Sequence, residues 1–102
     1  MINVIVSYQV KPEFVTENKL NIENFLKSFK NLDNQKFNYS VFLNSDGVTF
    51  THISNYQDEH IQKEVLSTPS FLEFQKKRDD SGLNNSHIVQ VLEYIGSTNN
   101  IL

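Results

Sequence analysis

His52, Tyr39 and Tyr8 are the side chains of this sequence best suited by type and placement to chemistry on a small molecule. Each sits among apolar neighbours at a spacing of two: Tyr8 after Val4 and Val6, Tyr39 between Phe37 and Val41, His52 after Val48 and Phe50. An imidazole with an unperturbed pKa of about 6.5 is largely neutral at neutral pH and can accept a proton as a general base. A phenol beside it can orient the ring or hold a substrate hydroxyl. If these faces meet the helices, Phe25, Phe29, Phe50, Phe71 and Phe74 surround the three polar tips. An aromatic cavity with a few convergent polar groups is the usual form of a small-molecule site. His52 and Tyr39 are therefore the candidate catalytic residues, and Tyr8, the five phenylalanines and Glu93 the candidate ligand-binding residues. Glu93 alternates with Val91 and Ile95, which aims it at the same interior. A buried carboxylate there needs a partner, His52 or Tyr8, and would raise the histidine pKa. The same residues also admit a plainer reading: a histidine opposite a tyrosine is an ordinary cross-strand pair, and phenylalanines at helical spacing are ordinarily core.

Other chemistries find no support. Asp58, Glu59 and His60 are consecutive and cannot converge on one centre, so no metal site is expected. The chain has no cysteine, which removes disulfides and thiolate metal ligands. Three glycines leave no phosphate cradle, and no nucleophile elbow or dinucleotide fingerprint occurs. No cofactor is expected. The formal net charge of −3 opposes a phosphate backbone, and Lys76-Lys77-Arg78, followed at once by Asp79-Asp80, reads as a solvated helix end rather than a nucleic-acid patch. No apolar run approaches the roughly 20 residues that span a bilayer. The opening Met1-Ile2-Asn3-Val4-Ile5-Val6 is a strand, not a signal peptide. We read the chain as cytoplasmic, with no membrane and no nucleic-acid partner.

The elements that position these residues follow from the period of apolar positions. Ile2 to Val10 alternates, with Ile2, Val4, Val6, Tyr8 and Val10 on one face. From about Glu13 to Leu32 the period becomes helical: Val15, Ile22, Phe25, Phe29 and Leu32 form the stripe, while Asn18, Glu23, Lys27 and Lys30 take the other side. Phe37 to Leu43 and Val48 to Ile53 alternate around the turn Asn44-Ser45-Asp46-Gly47. Phe37, Tyr39, Val41 and Leu43 then share a face with Val48, Phe50, His52 and Ser54. Pairing Leu43 with Val48 would set Tyr39 opposite His52. A second helix starts near Asn55 or Gln57 with Ile61, Val65 and Leu66 as its stripe. Ser67-Thr68-Pro69 interrupts it, Thr68 being a good N-cap and Pro69 a good first helical residue. A third helix runs to Lys77 or Arg78, and Ser81-Gly82 stops it. Ile88 to Ile95 is the last strand. The chain of 102 residues is one domain over 1–96 with a tail over 97–102.

The order β-α-β-β-α-β is the ferredoxin-like split βαβ, an α+β fold with a four-stranded antiparallel sheet. At Phe50-Thr51-His52-Ile53-Ser54-Asn55-Tyr56-Gln57-Asp58-Glu59, then Thr68-Pro69-Ser70-Phe71 and Phe74, the sequence resembles the antibiotic biosynthesis monooxygenase superfamily. These are small dimeric α/β-barrel proteins that include quinol monooxygenases and haem-degrading relatives. The resemblance implies a homodimer with sheets packed face to face and a ligand cavity between sheet and helices. Many members carry a glutamate where this chain has Ser54 and a histidine where it has Val65. The first-strand asparagine of the haem-degrading relatives aligns with Ser7, and their tryptophan has no counterpart. Haem cleavage is not expected. The second sheet face gives an independent reason for a dimer. Ile5, Phe42, Ile53, Leu92 and Tyr94 lie opposite the helix-facing set, one helical layer cannot cover both faces, and a twofold contact is the commonest cover. Two functions stay open: a dimeric module holding a small aromatic or apolar molecule, or a cofactor-independent monooxygenase or isomerase acting on a small phenolic or quinol-like substrate.

Overall fold

Alternation of apolar side chains produces four strands, and the helical period produces the layer that covers one side of them. The computed structural model describes residues 1–102. Strand β1 spans Ile2–Gln9, and a 3-10 turn over Pro12–Phe14 leads into helix α1, Val15–Phe29. The hairpin strands β2, Phe37–Leu43, and β3, Thr49–Tyr56, follow, then α2, Glu59–Leu66, α3, Pro69–Ser81, and β4, Ile88–Leu92. The sheet order is β2-β3-β1-β4, with every pairing antiparallel. This is the expected ferredoxin-like fold.

The side-chain faces follow the expected parity. Val4, Tyr8, Phe37, Phe50 and Tyr56 from the strands join Ile22, Phe25, Phe29, Ile61, Val65, Phe71 and Phe74 from the helices in one buried cluster. The opposite face carries Ile5, Phe42, Ile53, Ile88 and Leu92, of which all but the half-buried Ile5 are exposed. At the hairpin, Gly47 has φ +77°, a conformation that favours glycine, and Asp46 Oδ1 accepts from the Val48 and Thr49 amides.

Several details depart from the sequence reading. Leu43 pairs with Phe50 rather than Val48, so Tyr39 stands opposite Ser54 and Val41 opposite His52. A shift of two preserves the face of every side chain, which is why the parity survives. Strand β3 extends to Tyr56 instead of yielding to a helix at Asn55, because Asn55 and Tyr56 pair with both neighbouring strands. Asn55 Nδ2 also donates to Asn3 Oδ1 at 2.9 Å. The helix start falls to Asp58, whose carboxylate accepts from the Ile61 amide at 2.9 Å. Thr68 precedes α3 but does not cap it; its hydroxyl donates to the Val65 carbonyl at 2.7 Å, closing the end of α2. Strand β4 ends at Leu92, three residues short of the expected Ile95, where pairing with β1 runs out at Asn3.

Candidate functional site

Tyr8, Tyr39 and His52 project from three adjacent strands and meet beneath the helices. His52 is 2 % exposed. Its Nε2 lies 2.8 Å from Tyr8 Oη and its Nδ1 2.8 Å from Tyr39 Oη. The diagonal offset produced by the register lets Tyr39 reach the ring from beside it, a separation within range of long aromatic side chains. Helix α1 supplies the fourth member: Asn18 Nδ2 donates to Tyr8 Oη at 3.1 Å. Neutral imidazole carries one ring proton, so one ring nitrogen donates to its tyrosine and the other accepts from its tyrosine.

Burial fixes the electrostatics. Desolvation lowers the His52 pKa to about 3, helped by the positive charge of Arg78. The imidazole is therefore neutral throughout the physiological range. Desolvation likewise raises Tyr8 and Tyr39, so both phenols keep their protons. Arg78, which the sequence reading placed on a solvated helix end, is 7 % exposed. Its guanidinium lies 5.1 Å from the Tyr8 ring centroid and 5.4 Å from that of Phe74, with Nε donating to Asp79 at 3.0 Å. The planar cation spreads over two ring faces, which a solvated ammonium would do less well. Its neighbours Lys76 and Lys77 are exposed and paired with Asp80 and Glu73.

Asn18 was also assigned to the solvent side, yet it is fully buried. Spacing, not residue type, is the signal that finds both residues. Asn18, Ile22, Phe25 and Phe29 run at intervals of four, three and four along α1, and Phe71, Phe74 and Arg78 at three and four along α3.

The phenylalanines fill the interior around these groups. Phe25 lies 6.2 Å and Phe74 5.5 Å from the His52 ring centroid; Phe25 packs edge-on against Tyr39, and Phe50 stacks on Tyr8 at 5.8 Å. Phe29 and Phe71 complete the cluster against Tyr39. None of the five principal clefts of the molecule is lined by Tyr8, Tyr39 or His52. The space beside His52 is occupied by the chain's own rings. Phe74 links this interior to the surface, because it also lines a groove of about 270 Å³ between α1 and α3 with Asn21, Asn24, Ser28, Ser70 and Glu73.

Glu93 does not reach the interior. It lies beyond the end of β4 and is exposed. With no carboxylate beside it, His52 shifts downward rather than upward. Ser54 and Val65, where the resemblance leads one to look for a glutamate and a histidine, are both buried. No group of three or more His, Cys, Asp or Glu side chains converges as a metal site. No helix is long and apolar enough to cross a membrane.

No protein-family model matches the sequence, and no curated protein matches it. Solved structures do match its fold. An antibiotic biosynthesis monooxygenase superposes with a TM-score of 0.79 at 14 % identity, over 94 % of this chain and 100 % of that one. The Rv0793 protein of Mycobacterium tuberculosis gives 0.78 at 14 % identity, over 96 % and 98 %. A conserved protein from Methanosarcina mazei Go1 gives 0.76 at 18 % identity, over 89 % of both chains. The chain has the fold of the antibiotic biosynthesis monooxygenase structures.

Proposed function

We propose that the protein assembles as a homodimer through its bare sheet face and that each subunit binds a small aromatic or apolar molecule between sheet and helices, next to Tyr8, Tyr39 and His52. The observation that carries this reading is His52. A neutral imidazole, buried and bonded at both nitrogens, stands inside an interior otherwise built from phenylalanine rings. Burying such a group is costly unless every polar atom is satisfied, and an apolar residue would pack there without that demand. Entry requires Phe71 or Phe74 to swing aside, since their rings occupy the space.

The second reading is a cofactor-independent monooxygenase or isomerase acting on a phenolic or quinol-like substrate, with His52 as base and Tyr39 or Tyr8 holding the substrate. The monooxygenases that share the fold favour it. The depressed pKa of His52 disfavours it, because a general base works best with a pKa near the operating pH, and about 3 lies far below.

Titration of the protein with single-ring compounds, followed through the ring signals of His52 and Tyr39, tests the binding reading. Movement of those signals by an aromatic guest supports it, and a panel that leaves both unmoved overturns it. Oxygen uptake with quinols separates the second reading: turnover abolished by His52→Ala, with the fold kept, would establish the enzyme.

A further inference from the structure

Two buried polar atoms have no partner: Asn18 Oδ1, an acceptor, and Asn21 Nδ2, a donor. Buried amide groups are almost always paired, and each exception calls for a reason. Asn18 is fully buried and Asn21 is 8 % exposed. At a spacing of three they lie one turn apart on the same side of α1. Asn21 lines the groove between α1 and α3, and Phe74, which shares that groove, is 1 % exposed and packs on Tyr8 and His52. Asn18 lies one turn deeper, bonded to Tyr8.

From these positions we infer that the α1–α3 groove is the mouth of the binding site and that the Asn18–Asn21 amide pair recognises a neutral hydroxyl group on the guest. A hydroxyl donates once and accepts as well, so it satisfies both orphaned atoms at once. A carboxylate cannot donate to Asn18, an ammonium cannot accept from Asn21, and a bare hydrocarbon satisfies neither. The groove, at about 270 Å³, falls just below the usual range for drug-sized ligands and suits a single ring. The inference rests on the reading of the helix-covered interior as a binding site, but places the point of recognition on α1 rather than at His52.

Phenol and toluene, which differ by a hydroxyl in place of a methyl, are the probes. A site built to bond a hydroxyl rejects the analogue without it because its polar groups are then left unpaired. With the isotopically labelled full chain, phenol should shift the side-chain amide signals of Asn18 and Asn21 and bind at least tenfold tighter than toluene. Asn21→Leu, close in size, should reduce phenol to the level of toluene without lowering the urea midpoint. Asn21→Asp, which keeps the shape and removes the donor, supplies the same comparison if the leucine variant folds poorly. Equal binding of the two probes overturns the inference, as does undiminished phenol affinity in both variants or no phenol binding at all. Phenol that moves the His52 and Tyr39 ring signals but neither amide sinks the inference and leaves the preceding proposal standing. Phenol that moves the amides and not the His52 and Tyr39 rings overturns the preceding proposal and, with it, the groove as a mouth to that interior.

Discussion

His52 makes part of this protein's acid stability depend on one buried residue. Its pKa is about 3 in the folded chain against 6.5 when free. Above pH 6.5 neither state binds the proton and the group contributes nothing to the pH dependence. Below it the unfolded chain takes up a proton that the folded chain refuses, so stability falls as the pH drops toward 3, by up to about 1.4 kcal/mol per pH unit. His52→Leu should lose this component: urea unfolding at pH 7 and at pH 4.5 should show a smaller acid loss in the variant than in the parent, by roughly 2–3 kcal/mol. Equal losses would mean that the imidazole is not held neutral. The bonded chain through Tyr8 is tested separately. Tyr8→Phe strips His52 Nε2 and Asn18 Nδ2 of a partner, which should cost about 1–3 kcal/mol. In the His52→Leu background the same change should cost clearly less, since one of the two orphans is gone.

The helices and strands show where apolar periodicity suffices as a guide and where it does not. Tyr8, Tyr39 and His52 come together because alternation alone sets the face of each strand. Their contacts within that face depend on register, which the turn sequence left open by two residues, and the observed offset places Tyr39 diagonally from His52. Asn18 and Arg78 escape a reading by polarity because polar residues are assigned to solvent by default; their places on the 18-22-25-29 and 71-74-78 stripes carried the information. The start of α2 was obscured by Ser54, Asn55 and Tyr56, whose strand pairing is satisfied from both sides. Asp58 marks the true boundary, and Asp58→Ala should destabilise the fold by about 1 kcal/mol in chemical unfolding, while Thr68→Ala, whose hydroxyl closes α2 instead of capping α3, tests a different helix end.

The assembled sheet has one face under helices and the other bare. Phe42 is 56 % exposed, Ile88 55 % and Leu92 45 %; with Ile5 and Ile53 they form an apolar surface of the kind that marks an interface. The helical layer also stops short of β4, where Val89 and Val91 remain exposed although they share the inward parity of Val4 and Val6. The bare face of Ile5, Phe42, Ile53, Ile88 and Leu92 is the surface on which the proposed twofold partner would sit. Sedimentation equilibrium should give twice the chain mass for the parent and the chain mass for Phe42→Glu combined with Ile53→Lys. A parent that sediments as a single chain at high concentration would remove the proposed dimer while leaving the fold untouched.

Arg78 is the only arginine in the sequence, and it lies sandwiched against Tyr8 and Phe74. Phenylglyoxal, a reagent selective for arginine, therefore has one arginine to modify in the whole chain, packed against a ring that also lines the α1–α3 groove. The labelling rate becomes a clock for the opening of the interior: slow in the resting protein, faster once Phe74 is cut back to alanine. Modification at the speed of a free arginine would show that the door stands open already.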